Sequence, residues 1–131
     1  MKAPSFSIGI EEEYQTIDPE TFDLRSHIQT ELMAQGQRVL HEKIKSEMHQ
    51  AVIDVGTGVC RDIAEARTDM VNLRRQMLTL AGQNGLLLVA GATHPFADWR
   101  VQDISPDERY LQVVEDMQLV ARSNLIFGLH V

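Results

Sequence analysis

The sequence predicts helices packed on a β-sheet, in a single domain of class α+β or α/β. Strand-like alternation of polar and apolar residues occurs near both ends of the chain, and the long stretches between them carry apolar residues at helical spacing. The 131 residues suit one domain, 1–131, and neither a repeat nor a linker divides them. We therefore expect one continuous core.

The first strand is predicted over residues 5–17, where polar and apolar side chains alternate. Glu11, Glu12 and Glu13 crowd negative charge into it, although strands disfavour glutamate. Glu11 and Glu13 project from the same face, about 7 Å apart, and two carboxylates at that spacing can bind a hard cation such as Mg²⁺ or Mn²⁺. An exposed acidic strand face is the alternative, and spacing alone does not decide between them.

Two helices are predicted before residue 86. Ser26 with Gln29 resembles a capping box for a helix that runs to about Leu40. Thr57 is predicted to cap the second helix, which the sequence QNG at 83–85 ends. The apolar stripe of the second helix has nearly a 3.6-residue period and consists of Val59, Ile63, Ala66, Met70, Leu73, Met77 and Leu80.

The remainder of the chain predicts a strand, a helix and a final strand. Residues 86–92 are apolar and bounded by glycine, which indicates a buried strand. The sequence SPDE at 105–108 supplies a cap, a proline at the first helical position and a glutamate at the third, and the helix is predicted to run to about Ser123. Residues 124–131 alternate as the last strand.

Further acids and histidines are candidate ligands. Glu47 and Asp54 are seven residues apart, so an unbroken strand would place them on opposite faces; they converge only if a bulge or bend intervenes. His130 lies on the polar face of the last predicted strand and can bind a metal, although a structural role is commoner for a lone histidine. His94 and Trp99 lie in a Gly- and Pro-containing loop typical of binding loops, or of a rigid turn in which Trp99 covers the core.

Composition excludes several classes of function. Lys and Arg number 12 against 19 Asp and Glu, and the net charge of −7 argues against nucleic acid as a partner. Cys60 is the single cysteine, which indicates a reducing, cytoplasmic compartment. Neither a signal peptide nor a membrane-spanning apolar run is found. Arg74 and Arg75 are interpreted as the solvated face of a helix.

Five stretches, taken in order and spacing, resemble one family: IGIEEEYQTIDPETFDL, VGTGVCRDIAEAR, AGATHPFADW, DERY and the terminal FGLHV. They resemble the type-2 glutamate–cysteine ligases, also called carboxylate–amine ligases, from about residue 5 onwards. Members of that family are considerably longer. We therefore expect this chain to be the N-terminal part of a longer catalytic domain, cut at Val131 within a strand pattern, and to have no ligase turnover by itself.

The resemblance implies a fold, a reaction and site residues. The fold would be α+β, with a curved, largely antiparallel sheet, helices on one face, and a concave face that holds metals and ATP, as in the catalytic domain of glutamine synthetase. The reaction would join the carboxylate of glutamate to an amine, plausibly that of cysteine, through an acyl phosphate, with ATP and Mg²⁺ or Mn²⁺. The implied metal ligands are Glu11, Glu13, Glu47, Asp54 and His130, and the implied substrate contacts are Thr57, His94, Trp99 and Arg109.

One departure from the family pattern and two rival functions stay open. Relatives commonly have Glu where this chain has Asp54, which keeps the charge on a shorter side chain. One rival is a truncated, non-catalytic binding or assembly module that pairs through an exposed sheet edge as a homo-oligomer. The other is a metal-dependent phosphohydrolase that uses the same acids. The sequence does not fix the amine acceptor, the carboxylate substrate, the metal or the oligomeric state.

Overall fold

The computed structural model describes residues 6–28 and 30–131, and it shows an α+β arrangement around an open, antiparallel sheet. The strands of this part of the chain are β1 (Glu11–Ile17), β2 (Ile44–Ser46), β3 (Val52–Gly56), β4 (Leu87–Val89) and β5 (Leu129–His130). Their order is β2-β3-β1-β4, and β5 pairs with the first half of β1. The predicted α+β class and antiparallel sheet are confirmed.

Helices connect these strands. They are α1 (Leu32–Leu40), α2 (Ile63–Gln83), α3 (Glu108–Met117) and α4 (Leu119–Ser123), with short 3-10 turns at His41–Lys43 and Trp99–Val101. The side chain of Asp62 caps α2 by accepting a hydrogen bond of 2.9 Å from the Glu65 N–H. The chain leaves α2 through Gly85, whose φ of +66° suits glycine.

The main core lies between one face of the sheet and the helices α1 and α2. It consists of Tyr14, Leu32, Leu40, Ile44, Ile53, Val55, Met70, Leu73, Met77, Leu80, Ala81 and Leu86. A smaller cluster of Val52, Leu125 and Phe127, with Leu24, Ala97 and Trp99 packed on it, covers part of the opposite face. The sheet therefore buries one face against helices and leaves room on the other.

Several predicted helix boundaries are wrong. Helix α1 begins at Leu32, and the Ser26 hydroxyl donates to Gln50 Oε1 at 2.8 Å instead of capping a helix; Gln29 lies outside the described residues. Thr57 lies well before α2 and does not cap it. The predicted third helix is two helices, because the chain turns at Gln118 with a φ of +46°.

The burial of some apolar residues also differs from the prediction. The strand predicted as buried at 86–92 is β4, which lies at an edge of the sheet with Leu87 and Val89 about 40% exposed. Val59 is exposed because it lies in the loop before α2, and Ile63 is exposed because the buried stripe of α2 begins at Ala66. Among the described residues, no helix combines the length and apolar character needed to cross a membrane.

Candidate functional site

Carboxylates from three segments lie on the sheet face opposite α1 and α2. Glu11 and Glu13 point the same way along β1, and the strand register pairs Glu13 with Asp54 on β3 and Glu11 with His130 on β5. Glu47 follows β2, and the chain reverses between β2 and β3, so that these strands pair antiparallel. This reversal is the bend that the seven-residue spacing of Glu47 and Asp54 required.

A cleft of about 430 Å³ opens on this face. The polar residues of its lining include Glu13, Glu47, Asn124 and His130. Val52, Ile126 and Phe127 form an apolar part of its wall. The cleft therefore has acidic groups along an otherwise largely apolar surface, which is the composition of a site for a polar ligand.

Glu13 is fixed by the last segment of the chain. Its Oε2 accepts a hydrogen bond of 2.6 Å from the Gly128 N–H, and its own N–H donates to the Gly128 carbonyl at 2.9 Å. A carboxylate that accepts from a backbone N–H is held in one orientation. The Glu13 carboxylate therefore stays directed at the cleft, close to His130.

Asp54 is the most buried acid of the group. Its Oδ1 is buried and has no hydrogen-bond partner among the described residues. Burial raises the pKa of Asp54 to about 6, and the nearby charge of Glu11 is the next largest cause of the rise. Glu47 and Glu13 add to the rise, and Lys45 opposes it. An unsatisfied buried carboxylate oxygen costs free energy, and a bound cation would remove that cost.

Lys45 provides positive charge at this face. Its ammonium lies 3.4 Å from Glu11 Oε1 and 4.0 Å from Asp54 Oδ2. His130 Nδ1 lies 3.8 Å from Glu11 Oε2, so the imidazole faces this carboxylate. Lys45 is not among the site residues that the sequence predicts, although it is two residues before Glu47 and so shares its side of the chain.

Glu47 is connected to α3 through Tyr110. The Tyr110 hydroxyl lies 3.2 Å from the Ser46 carbonyl and 3.5 Å from Glu47 Oε2. Arg109 donates to the same hydroxyl at 2.5 Å, and its guanidinium lies 4.5 Å from the centre of the Tyr110 ring. Burial, with a smaller effect of Glu47, raises the pKa of Tyr110. In this structure Arg109 therefore holds Tyr110, and its predicted substrate contact stays a prediction.

The other predicted substrate contacts lie apart from the cleft lining. Thr57 accepts a hydrogen bond of 2.9 Å from the Ile10 N–H. His94 Nδ1 accepts from the Ala97 N–H at 3.0 Å, so its Nε2 carries the proton and donates to the Phe22 carbonyl at 3.0 Å. Trp99 packs on the smaller core cluster, which agrees with the alternative of a turn that covers apolar residues. Their roles toward substrate stay predictions.

The donor set fits a hard divalent cation by its chemistry. Four carboxylates and an imidazole are oxygen-rich ligands of the kind that Mg²⁺ or Mn²⁺ takes. As the side chains stand in residues 6–28 and 30–131, no three His, Cys, Asp or Glu residues are close enough together to hold one ion. Three of these acids have contacts within the protein: Gly128 donates to Glu13, Lys45 pairs with Glu11, and the Tyr110 hydroxyl lies beside Glu47.

Glu12 serves a different purpose from its two neighbours. It faces the main core and is buried, and Arg74 of α2 donates to both of its oxygens at 2.6 and 2.7 Å. Tyr14 also donates to Glu12. Although burial raises the pKa of Glu12, these hydrogen bonds outweigh it and hold the pKa below its ordinary value. Arg74 lies on an exposed face of α2, as predicted, and in addition pairs with buried Glu12, which the sequence does not reveal.

Comparison with known proteins gives a consistent result. The sequence model of a family described as glutamate-cysteine ligase family 2 matches residues 7–131. Three relatives carry the name "Putative glutamate–cysteine ligase 2": one from Solibacter usitatus is 59% identical over 128 residues, one from Herpetosiphon aurantiacus 53% over 126, and one from Chloroflexus aggregans 52% over 126.

The relatives are much longer than this chain. The alignments cover 98% of this chain and 33% of the Solibacter protein, and 96% and 32% for the other two. The chain thus spans about a third of the length of the curated relatives it matches.

Proposed function

The chain belongs to glutamate–cysteine ligase family 2, and from that premise we propose that its acidic sheet face is part of the metal and nucleotide site of an ATP-dependent carboxylate–amine ligase. The observation that carries the proposal is the convergence of Glu11, Glu13, Glu47 and Asp54 on one side of the sheet, with a buried Asp54 oxygen that no donor of the described residues satisfies. Four carboxylates on one side of the sheet repel one another. Divalent cations would offset that repulsion and would bring anionic ATP to an acidic surface.

The proposed reaction forms an amide bond between glutamate and an amine. The γ-phosphoryl group of ATP passes to the side-chain carboxylate of glutamate, giving ADP and an acyl phosphate. The amine, with that of cysteine as the first candidate, then attacks the acyl carbon and releases phosphate. Mg²⁺ or Mn²⁺, when bound, would neutralise charge on the phosphate oxygens.

The residues of this chain would act by holding and orienting. Glu11, Glu13, Glu47 and Asp54 would bind the cation through oxygen, and His130 would bind the cation or the nucleotide phosphates. Gly128 would keep Glu13 in place, because its N–H already donates to that carboxylate. Such positioning and charge neutralisation account for most catalysis of phosphoryl transfer.

The proposal extends to the rest of the site and to the fold. Thr57, His94, Trp99 and Arg109 are the proposed contacts for glutamate and the amine. We propose that the open sheet is the first part of a curved sheet like that of glutamine synthetase. The part of the family sequence that this chain does not span would complete it. A cytoplasmic location is proposed from the single cysteine, Cys60.

The test is the dependence of ADP release on both substrates, measured with a full-length family member that contains this segment. ADP release that requires glutamate together with an amine supports the ligase. Phosphate release that is independent of glutamate supports the metal-dependent phosphohydrolase instead. The 131-residue chain alone is expected to release no ADP. If the full-length protein forms a homo-oligomer and shows no turnover, the non-catalytic assembly module is favoured instead.

A further inference from the structure

Lys45 stands among the acids of the proposed site. It pairs with Asp54 in the register of β2 and β3. Its ammonium is shared between two carboxylates, at 3.4 Å from Glu11 Oε1 and 4.0 Å from Asp54 Oδ2. These are two of the oxygen-bearing side chains that a divalent cation would need at this face.

The contacts of Lys45 are those of a replaceable cation. Both distances are long for a charge-assisted hydrogen bond, and the side chain is 58% exposed. A lysine ammonium is a compact point charge on a flexible stem, so it can leave one partner for another at low cost. An exposed ion pair such as that of Lys45 with Glu11 stabilises a fold only weakly.

Lys43, two residues earlier, provides the contrast. Its ammonium lies 2.9 and 2.8 Å from the two oxygens of Asp69, and Asp69 also accepts from the Gly58 N–H at 2.9 Å. Those contacts tie the turn before β2 to α2 and to the loop after β3. Lys43 therefore has a structural partner, whereas Lys45 has two acids that are themselves candidate ligands.

We propose that Lys45 is a resident counter-cation of the acidic face, and that its ammonium competes with a divalent metal ion for the carboxylates of Glu11 and Asp54. The inference deepens the proposed function and rests on it. Binding of metal then requires that the lysine side chain swing away from the sheet. The displaced ammonium stays close to the metal-bound face, where it can pair with an anionic ligand.

The test is Mn²⁺ binding to the 131-residue chain without nucleotide, measured from the electron paramagnetic resonance signal of free Mn²⁺. Lys45→Met should tighten Mn²⁺ binding by on the order of tenfold, because it removes both a competitor and a positive charge beside the site. Lys45→Arg keeps the charge and should stay within about threefold of the unmodified chain. Lys43→Met changes the net charge equally and should also stay within that range.

The outcomes separate this inference from the proposed function. If the unmodified chain binds Mn²⁺ and Lys45→Met binds it no more tightly than Lys43→Met does, Lys45 is not a competitor, although the metal site stands. If neither the unmodified chain nor Lys45→Met binds Mn²⁺, the same titration is made on a full-length family member, and absence of binding there shows that the metal site itself is wrong. Circular dichroism on each variant establishes folding, and Lys45→Gln replaces Lys45→Met if the latter does not fold.

Discussion

Glu13 and Gly128, 115 residues apart in sequence, are joined twice: the Gly128 N–H donates to Glu13 Oε2 at 2.6 Å, and the Glu13 N–H donates to the Gly128 carbonyl at 2.9 Å. The pairing ties the last segment of the chain to the first strand. Because β5 follows immediately, it also places His130 opposite Glu11. The acidic face is therefore assembled from both ends of the chain.

Glu11→Gln should weaken Mn²⁺ binding by about tenfold or more, because it removes one negative ligand while the side chain keeps its shape. The Glu11 side chain is 47% exposed, so thermal unfolding should change little. Calorimetric titration measures the affinity. Glu20→Gln, at an exposed acid in the turn after β1, removes the same charge and serves as the control. Equal affinity for Glu11→Gln and Glu20→Gln would rule out Glu11 as a ligand.

Asp54→Asn should stabilise the metal-free chain at pH 7. The pKa of Asp54 is raised to about 6 by burial and by Glu11, so the folded state binds a proton more tightly than the unfolded state. The free energy of unfolding of the unmodified chain therefore falls as the pH rises from about 4 to about 7 through this group. Asparagine removes that dependence.

The expected difference between Asp54→Asn and the unmodified chain is about 2 kcal/mol at pH 7 and close to zero at pH 4. Urea unfolding at both pH values, without metal, measures it. Asp54→Asn should also bind Mn²⁺ more weakly, so the substitution should raise the free energy of unfolding and lower the metal affinity. A variant that is less stable than the unmodified chain at pH 7 would refute the assigned environment of Asp54.

Arg74→Met should destabilise the fold without affecting Mn²⁺ binding. Glu12 is buried, and removing Arg74 leaves its carboxylate with the Tyr14 hydroxyl as a partner. The expected loss is about 2–3 kcal/mol, reduced from the value for a fully buried pair because the Arg74 side chain is 50% exposed. Chemical denaturation measures it.

Arg75→Met is the matched control for Arg74→Met, since Arg75 is an exposed neighbour on α2. The double variant Glu12→Gln with Arg74→Met should recover part of the lost stability, because no buried charge is then left unpaired. If Arg75→Met costs as much as Arg74→Met, the ion pair does not stabilise the fold in the way proposed.

Tyr110→Phe should weaken Mn²⁺ binding by about three- to tenfold, since it removes the hydroxyl that lies between Arg109 and Glu47 and leaves the Glu47 carboxylate free to rotate. The loss of stability should be about 1 kcal/mol, the usual value for one hydrogen bond. Calorimetry on the same samples separates the two effects. Unchanged Mn²⁺ affinity would show that Tyr110 does not position Glu47.

Much of the fold could be predicted from the sequence, because local patterns and tertiary packing agree in β1 and α2. The alternation around Glu11 and Glu13 identifies β1 and the shared side of these acids, and the helical stripe from Ala66 to Leu80 identifies the core face of α2. Helix boundaries were less predictable. Ser26 and Thr57 have side chains that cap helices, yet each bonds to another strand or loop, because tertiary partners compete with local capping.

Convergence of the site could be predicted only in part. The shared face of Glu11 and Glu13 follows from a period of two, whereas Glu47 and Asp54 come to the same side of the sheet through a strand reversal that the spacing alone does not predict. Arg74 could not be assigned, because its partner Glu12 lies 62 residues away. Such long-range pairs depend on how α2 lies on the sheet, and no local pattern records that.

The most direct test of the central claim is the position at which a paramagnetic ion binds. Adding Mn²⁺ to the isotope-labelled chain broadens the amide signals of the residues nearest to the ion in a nuclear magnetic resonance spectrum. A metal site on the acidic face predicts selective loss of the signals of Glu13, Asp54 and Gly128, while Leu78 and Gly82 on α2 keep theirs. Broadening centred on any other surface, or none at a Mn²⁺ concentration that saturates a full-length relative, would contradict the claim.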